Sequence, residues 1–216
     1  MKRSAFAFIT IGLALLAVSL LPKVEAEPRG ATIVALGDSL TAGFGLPQSD
    51  TFPAQLEAAL KANGRNVSVV NAGVSGDTVS DGLARLDWAL PPDASAVIVE
   101  FGGNDALQGL PPEAIKASLA KIIERLQAKG LKVLLAGMES PRNMGKDYVE
   151  AFAAIYPDLA RRYGVILYPF FLDGVALNDG LMQEDGIHPN AEGVKRIVEG
   201  ILPKVEELLA KAAAKG

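Results

Sequence analysis

The sequence predicts an α/β fold, a three-layer α/β/α sandwich with a five-stranded parallel sheet at its centre. Short apolar runs alternate with helical patterns from residue 31 onward. The runs are apolar almost throughout, which is typical of parallel strands that are covered on both faces. Right-handed crossovers between such strands place helices on both faces of the sheet.

The strand predictions depend on five short runs that end where glycine or polar residues begin. They cover residues 32–36, 67–71, 96–101, 132–136 and 165–167. Runs of this length suit strands better than helices. The strands and the helices between them give the order βαβαβαβαβα.

Five longer segments predict helices, and glycine or proline follows most of them. They cover residues 52–63, 78–90, 112–129, 148–163 and 190–214. Gly64, Gly130 and Gly164 follow three of these segments, as is common where a helix stops, and Pro91 follows the second. Pro203 predicts a kink in the last helix because proline lacks the N–H that the helix needs.

Residues 1–26 differ from the rest of the chain and predict a secretory signal peptide. Lys2 and Arg3 precede an apolar run over residues 5–21, and small residues, Val24 and Ala26, follow at the positions that a signal peptidase reads. An uncleaved membrane anchor is the less favoured alternative, because the run is near the lower length limit for a span. We therefore expect one domain over residues 27–216, periplasmic or secreted, with no stable membrane anchor after cleavage.

The composition excludes some classes of site and partner. The net charge is −4, and no Lys/Arg run or basic arm interleaved with aromatic residues is present, so we expect no nucleic-acid partner. The chain has no cysteine, which excludes disulfides and thiolate zinc sites. We expect a monomer whose stability comes from its core.

Three loops rich in glycine and polar residues directly follow the first three predicted strands. In open α/β sheets, ligands bind outside the carboxyl ends of the strands, so these loops should meet at one edge. The loops contain Gly37-Asp38-Ser39-Leu40-Thr41, Asn71-Ala72-Gly73-Val74-Ser75-Gly76-Asp77 and Gly102-Gly103-Asn104-Asp105.

The single histidine of the chain, His188, is the candidate general base. Imidazole transfers protons near neutral pH, and Asp185 precedes it by three residues, so that the carboxylate can orient the ring. The alternative is a surface loop in which the histidine is incidental.

Ser39 is the preferred nucleophile, and Ser75 is the competitor. Ser39 follows a buried strand on a tight turn at Gly37, whereas Ser75 can equally be interpreted as the N-cap of the next helix. Thr41 stands where the second glycine of a Gly-x-Ser-x-Gly elbow would be, which argues against the α/β-hydrolase fold.

Three groups are candidate donors to an oxyanion: the Ser39 N–H, the Gly73 N–H and the Asn104 side-chain amide. Gly73 lacks a Cβ that would block a close approach. Each has a simpler interpretation, since Gly73 could serve only a tight turn and Asn104 could only cap one.

These residues resemble the SGNH or GDSL hydrolases, and in particular their bacterial thioesterase I, arylesterase and lysophospholipase branch. Ser39, Gly73, Asn104 and His188 match the four namesake residues in order, and Asp185 matches the Asp-x-x-His element. The likeness covers residues 32–209. It implies a flavodoxin-like SGNH fold, no metal or other cofactor, and hydrolysis of fatty-acid esters or thioesters, often in the periplasm.

The substrate pocket should be formed by apolar loop residues beside the catalytic edge. We predict Leu107, Leu110, Pro111, Met138 and Pro141 as lining residues, and consider Phe170, Phe171 and Leu172 as weaker candidates. Gln108 is also a predicted substrate-binding residue, and it stands where relatives often have a basic residue, which leaves the head-group preference open.

The predicted function is therefore a serine acyl hydrolase that acts on small-molecule acyl esters or thioesters. One alternative is a metal-dependent phosphoryl-transfer enzyme, because Asp38, Asp77, Asp105 and Asp185 all lie near predicted strand ends. The other is a periplasmic binding module without turnover, because fold does not imply function.

Overall fold

Five parallel strands form one sheet in a computed structural model, which describes residues 30–214. The strands are β1 (Ala31–Gly37), β2 (Val67–Gly73), β3 (Ala94–Glu100), β4 (Lys132–Ala136) and β5 (Ile166–Tyr168). Their order in the sheet is β2-β1-β3-β4-β5. The predicted five-stranded parallel sheet is confirmed, and the predicted signal peptide lies outside the described residues.

The apolar runs explain why β1 and β3 occupy the centre of the sheet. Residues 33–36 of β1 and 96–99 of β3 are almost completely buried, so both faces of these strands are covered. Gly37 is paired with Gly73 on one side and with Glu100 on the other. The first three strands therefore end at the same level, and the loops that follow them leave the sheet together.

Helices cover both faces of this sheet. They are α1 (Ser39–Ala42), α2 (Phe52–Ala62), α3 (Val79–Ala84), α4 (Gly103–Leu107), α5 (Pro112–Ala128), α6 (Lys146–Ala153), α7 (Ile155–Tyr163) and α8 (Ala191–Ala213). α2 packs against α8, while α3 and α7 both pack against α5. Within residues 30–214, none of the helices is long and apolar enough to cross a membrane.

Two predicted helices differ from the structure. The helix expected over residues 148–163 is divided at Ala154 into α6 and α7, because Pro157 in the first turn of α7 cannot bond to the Ala153 carbonyl. The helix expected over residues 78–90 ends at Ala84. Beyond it Trp88 is 93% exposed, so this segment offers a weaker apolar face, and Pro91 disfavours helical backbone at Leu90. Pro203 lies inside α8 without ending it.

Two short helices occupy positions that the sequence predicted as loops. Ser39 begins α1, and Asn104 is the second residue of α4. Both helices start directly after a strand, so the side chains of their first turns lie at the carboxyl edge of the sheet.

Candidate active site

Ser39 lies on a tight turn that its neighbours determine. Asp38 Oδ1 accepts a hydrogen bond from the Leu40 N–H at 2.9 Å and thereby caps α1. A Cβ at position 37 would lie 2.6 Å from the Glu100 carbonyl oxygen, so only glycine fits there without displacing β3. Ser39 is 9% exposed, with its hydroxyl toward His188.

His188 lies between Ser39 and Asp185. Its Nε2 atom is 2.9 Å from Ser39 Oγ, and its Nδ1 atom is 2.6 Å from Asp185 Oδ2. Asp185 Oδ1 also accepts the backbone N–H groups of Ile187 and His188. Hydrogen bonds from the backbone and then the ring of His188, and from Ile187, lower the pKa of Asp185 from 3.8 to about 2.

The segment that carries His188 is held at both of its ends. Met182 and Pro189 form an antiparallel bridge, and the Gln183 N–H donates to the His188 carbonyl at 2.7 Å. Gly186 takes the left-handed conformation that the turn between them needs, with φ of 66°. Phe44 covers the imidazole at 4.6 Å between ring centroids, a contact that the sequence analysis missed.

Ser75 occupies an exposed turn, and His188 contacts Ser39 instead. The N-cap of α3 is Thr78, which forms a capping box with Asp81. The N-cap interpretation of Ser75 is therefore wrong, because the N-cap lies three residues later, at Thr78. The geometry favours Ser39 as the nucleophile.

The candidate oxyanion donors lie at the ends of the first three strands, and protein acceptors engage two of them. Asn104 Nδ2 donates to the Asp77 carbonyl at 2.9 Å and to Asp38 Oδ2 at 3.3 Å. The Gly73 N–H donates to Asn71 Oδ1 at 3.0 Å. A Cβ at Gly73 would lie 2.3 Å from the Ala42 backbone nitrogen, so the glycine also permits α1 to approach β2.

A cavity of about 890 Å³ opens beside Ser39 and His188. Its walls include three predicted lining residues, Leu107, Met138 and Pro141. Phe170 and Leu172 also line it, whereas Phe171 is fully buried and packs edge-on against Phe52.

Three residues predicted to bind substrate do not line this cavity. Gln108 follows the end of α4, and the chain then turns away at Gly109, with φ of 66°. Leu110 packs against the core and Pro111 is the N-cap of α5, and neither lines the cavity. Other lining residues were not predicted, because they come from loops distant along the chain, among them Arg142, Asn143, Ala176 and Leu177.

The four aspartates considered for a metal site have separate protein partners. Asp77 pairs with Arg85, Asp105 accepts the Val79 N–H, and Asp38 and Asp185 bind the groups described above. Across the part of the chain that the structure describes, no three potential ligands gather into a metal-binding group. The arrangement gives the phosphoryl-transfer alternative no support.

Two carboxyl groups lie buried beneath the Ser39 turn. Glu100 is completely buried and accepts the Thr41 hydroxyl at 2.8 Å. Burial, and then the neighbouring Asp38, raise the pKa of Glu100 well above its ordinary range. Burial also raises the pKa of Asp38 from 3.8 to about 6, against the Leu40 N–H and the His188 ring, which both lower it.

We expect Asp38→Asn to gain stability relative to the wild type as the pH rises. A raised pKa means that the folded protein holds its proton more tightly, so the cost of ionising Asp38 is absent below pH 4 and complete above pH 6. The wild type should therefore lose roughly 2–3 kcal/mol relative to the variant over that window. Urea unfolding of both proteins at pH 4, 5 and 7 measures this difference, and a constant difference would contradict the prediction.

Comparison with known proteins gives independent evidence about the kind of site that Ser39, His188 and Asp185 form. The model of the GDSL-like Lipase/Acylhydrolase family matches residues 35–196. Esterase TesA of Pseudomonas aeruginosa is 40% identical over 184 residues, which are 85% of this chain and 92% of that protein. Thioesterase 1/protease 1/lysophospholipase L1 of Escherichia coli K12 is 40% identical over 179 residues, 82% of this chain and 85% of that protein.

The fold agrees with that of a solved relative. A crystal structure of TesA matches with a TM-score of 0.78 and 40% identity, and the match covers 82% of this chain and 99% of that one. The predicted family and SGNH hydrolase fold are confirmed. This chain belongs to the GDSL-like lipase/acylhydrolase family and is an ester-cleaving hydrolase.

Proposed function

We propose that the chain is a serine acyl hydrolase that cleaves carboxylic esters and thioesters through a Ser39–His188–Asp185 triad. One observation carries the proposal: a single imidazole lies within hydrogen-bonding distance of a serine hydroxyl on one side and a carboxylate on the other. This is the arrangement that lets a base deprotonate a weak nucleophile and stay charged while the reaction proceeds.

The reaction begins when Ser39 Oγ attacks the acyl carbonyl carbon. His188 Nε2 takes the hydroxyl proton, and Asp185 stabilises the imidazolium that forms. Collapse of the tetrahedral intermediate breaks the bond to the leaving oxygen or sulfur, which receives the proton from His188. Water, deprotonated by the same imidazole, then cleaves the acyl-enzyme and restores Ser39.

The negative oxygen of the intermediate is stabilised by the Ser39 N–H, the Gly73 N–H and the Asn104 amide. Asn104 supports this role because its hydrogen bond to Asp38, at 3.3 Å, is long and weak, and that N–H is the one that a substrate oxygen can recruit. The Gly73 N–H donates to Asn71 Oδ1, and the same exposed side chain donates from Nδ2 to the Ala42 carbonyl at 3.2 Å, so the substrate oxygen takes this N–H by displacing Asn71 Oδ1.

Asn104→Ala should lower kcat/KM for ester hydrolysis by roughly 10²- to 10³-fold, the usual cost of removing one oxyanion donor. Leu107→Ala, in the same helix and lining the cavity, is the matched control and should alter KM more than kcat. Steady-state kinetics on one p-nitrophenyl ester measure both. A loss below about 10-fold for Asn104→Ala would remove this residue from the oxyanion hole.

The substrates we propose are aryl esters, acyl thioesters and lysophospholipids. The cavity supports an acyl chain, since apolar side chains such as Leu107, Met138 and Phe170 line it. The names of the relatives, an esterase and a thioesterase 1/lysophospholipase L1, support the same classes. Arg142 lines the cavity and Gln108 does not, so we assign contact with a polar leaving group to the cationic side chain of Arg142.

We propose further that residues 1–26 direct export and are removed, so that a monomeric enzyme works in the periplasm or outside the cell. The apolar run and the small residues before position 27 support this processing. Mass spectrometry of the protein recovered from the cell envelope tests it, and an intact N-terminus there would contradict it.

The function is tested with residues 27–216 and a series of p-nitrophenyl esters from acetate to palmitate, with and without EDTA. We expect turnover that EDTA leaves unchanged, and a fluorophosphonate probe that labels Ser39 in a one-to-one ratio. Loss of turnover with EDTA would restore the metal-dependent alternative. A protein that neither turns over nor reacts with the probe would be a binding module.

A further inference from the structure

Arg85 lies outside the triad, yet its side chain reaches the carboxyl edge of the sheet and binds three acceptors there. It follows the last residue of α3, and its side chain is 23% exposed. Nη1 donates to the Ala72 carbonyl and Nη2 to the Gly37 carbonyl, both at 2.9 Å. Nε donates to Asp77 Oδ2 at 2.5 Å. One guanidinium therefore joins the ends of β1 and β2 and the loop before α3.

The contact with Ala72 acts on the Gly73 N–H. The Ala72 carbonyl and the Gly73 N–H belong to the same planar peptide unit, so an acceptor fixed at one end fixes the direction of the donor at the other. A cationic donor on the carbonyl also polarises the peptide and strengthens the N–H as a donor. Arg85 thus sets both the direction and the strength of this N–H.

The contact with Asp77 acts on Asn104. The Asp77 carbonyl accepts Asn104 Nδ2 at 2.9 Å, which orients the amide, and the Asp77 carboxylate is held by Arg85. If Asp77 moves, the hydrogen bond that aims the second amide hydrogen of Asn104 moves with it.

The contact with Gly37 acts on the peptide before the nucleophile turn. Gly37 O accepts Arg85 Nη2 and also the Val74 N–H at 3.0 Å. This carbonyl therefore links β1 to the loop that follows Gly73, one residue before Asp38.

We infer that Arg85 is a positioning residue that holds the Gly73 and Asn104 oxyanion donors of the proposed serine hydrolase in register with Ser39. The planar fork of arginine reaches three acceptors in fixed directions, whereas the single ammonium of lysine cannot satisfy all three from one position. The charge at Arg85 is matched by Asp77, so its role is local geometry and not attraction of an anionic substrate.

The test compares Arg85→Lys with Arg125→Lys. Arg125 is a matched control, because it also binds a carboxylate and a backbone carbonyl, those of Asp87 and Leu83, away from the catalytic edge. For Arg85→Lys we expect kcat to fall by roughly 10- to 100-fold with KM changed by less than about 3-fold, because a displaced donor costs less than a deleted one. Arg125→Lys should leave both constants within about 2-fold.

Two further readouts separate positioning from a general loss of structure. An alkyl trifluoromethyl ketone, which gives a charged oxyanion on Ser39, should bind Arg85→Lys more weakly by the same factor as kcat/KM falls. In an Asn104→Ala background the Arg85→Lys loss should shrink by at least about 3-fold, because the two residues serve one function. Thermal unfolding of every variant is measured alongside.

The inference would be overturned, and Arg85 would be a structural residue, if the double variant Arg85→Lys/Asn104→Ala lost activity by the product of the two single losses. Inhibitor binding that Arg85→Lys leaves unchanged would have the same meaning. So would a kcat that Arg85→Lys leaves within about 2-fold of the wild type. These outcomes are distinct from failure of the proposed function, which would appear instead as a Ser39 that is not labelled by the fluorophosphonate probe.

Discussion

Ser39→Ala is expected to lower kcat for p-nitrophenyl esters by at least ~10³-fold. Only His188→Ala is expected to have a single-substitution effect of this size. The Ser39 hydroxyl lies 2.9 Å from His188 Nε2, and alanine leaves the imidazole without a nucleophile to activate. The residual rate should reflect only donors that stabilise direct attack by water. Release of p-nitrophenol by the purified variant measures it.

Ser75→Ala is the matched control, because it removes the same atom from an exposed turn at the same sheet edge. It should keep kcat within about 2-fold, as for a surface substitution outside the site. Circular dichroism should show both variants folded, since alanine is well tolerated at the start of a helix such as α1. Activity that survives in Ser39→Ala and disappears in Ser75→Ala would reverse the assignment of the nucleophile.

His188→Ala should reduce kcat by a similar factor, at least ~10³-fold, because no second histidine in the chain can take over the proton. The revealing measurement is the double variant Ser39→Ala/His188→Ala. Residues that act as one unit give a double variant about as slow as either single one. Losses that multiply would show that the two side chains contribute separately, against the triad.

The strands and the position of the catalytic edge could be predicted, because buried strands require apolar residues and such runs are visible in the sequence. Residues 33–36 must be apolar to lie in the centre of the sheet, and the carboxyl ends of parallel strands meet wherever the strands do. Asp185 and His188 are three residues apart, so their contact is nearly a local property. These features depend on short stretches of chain.

The remaining features depend on contacts between distant segments. Phe44 reaches His188 and Arg85 reaches Gly37 and Ala72 only after the sheet has formed, and neither residue has a sequence signal of its own. Leu110 was predicted wrongly for a different reason. An apolar residue after a strand can enter either the cavity or the core, and Leu110 packs against the core. The break near Pro157 has a sequence signal, because a proline inside a helix removes a hydrogen bond, but the signal does not decide the outcome, since Pro203 lies inside α8 without ending it.

The short turn from Asp185 to His188 makes the base and its carboxylate a single mechanical unit. Asp185 binds the backbone of His188 as well as its ring, so the two side chains share one rigid frame, separate from α1, which begins at Ser39. A shift of the loop over residues 181–190 would move Asp185 and His188 together, and would change the distances from the loop to Ser39 and to Phe44. In the proposed triad, the distance between His188 Nε2 and Ser39 Oγ can therefore change while the contact between Asp185 and His188 is kept, so a mutation in this loop would act on the first contact and not on the second.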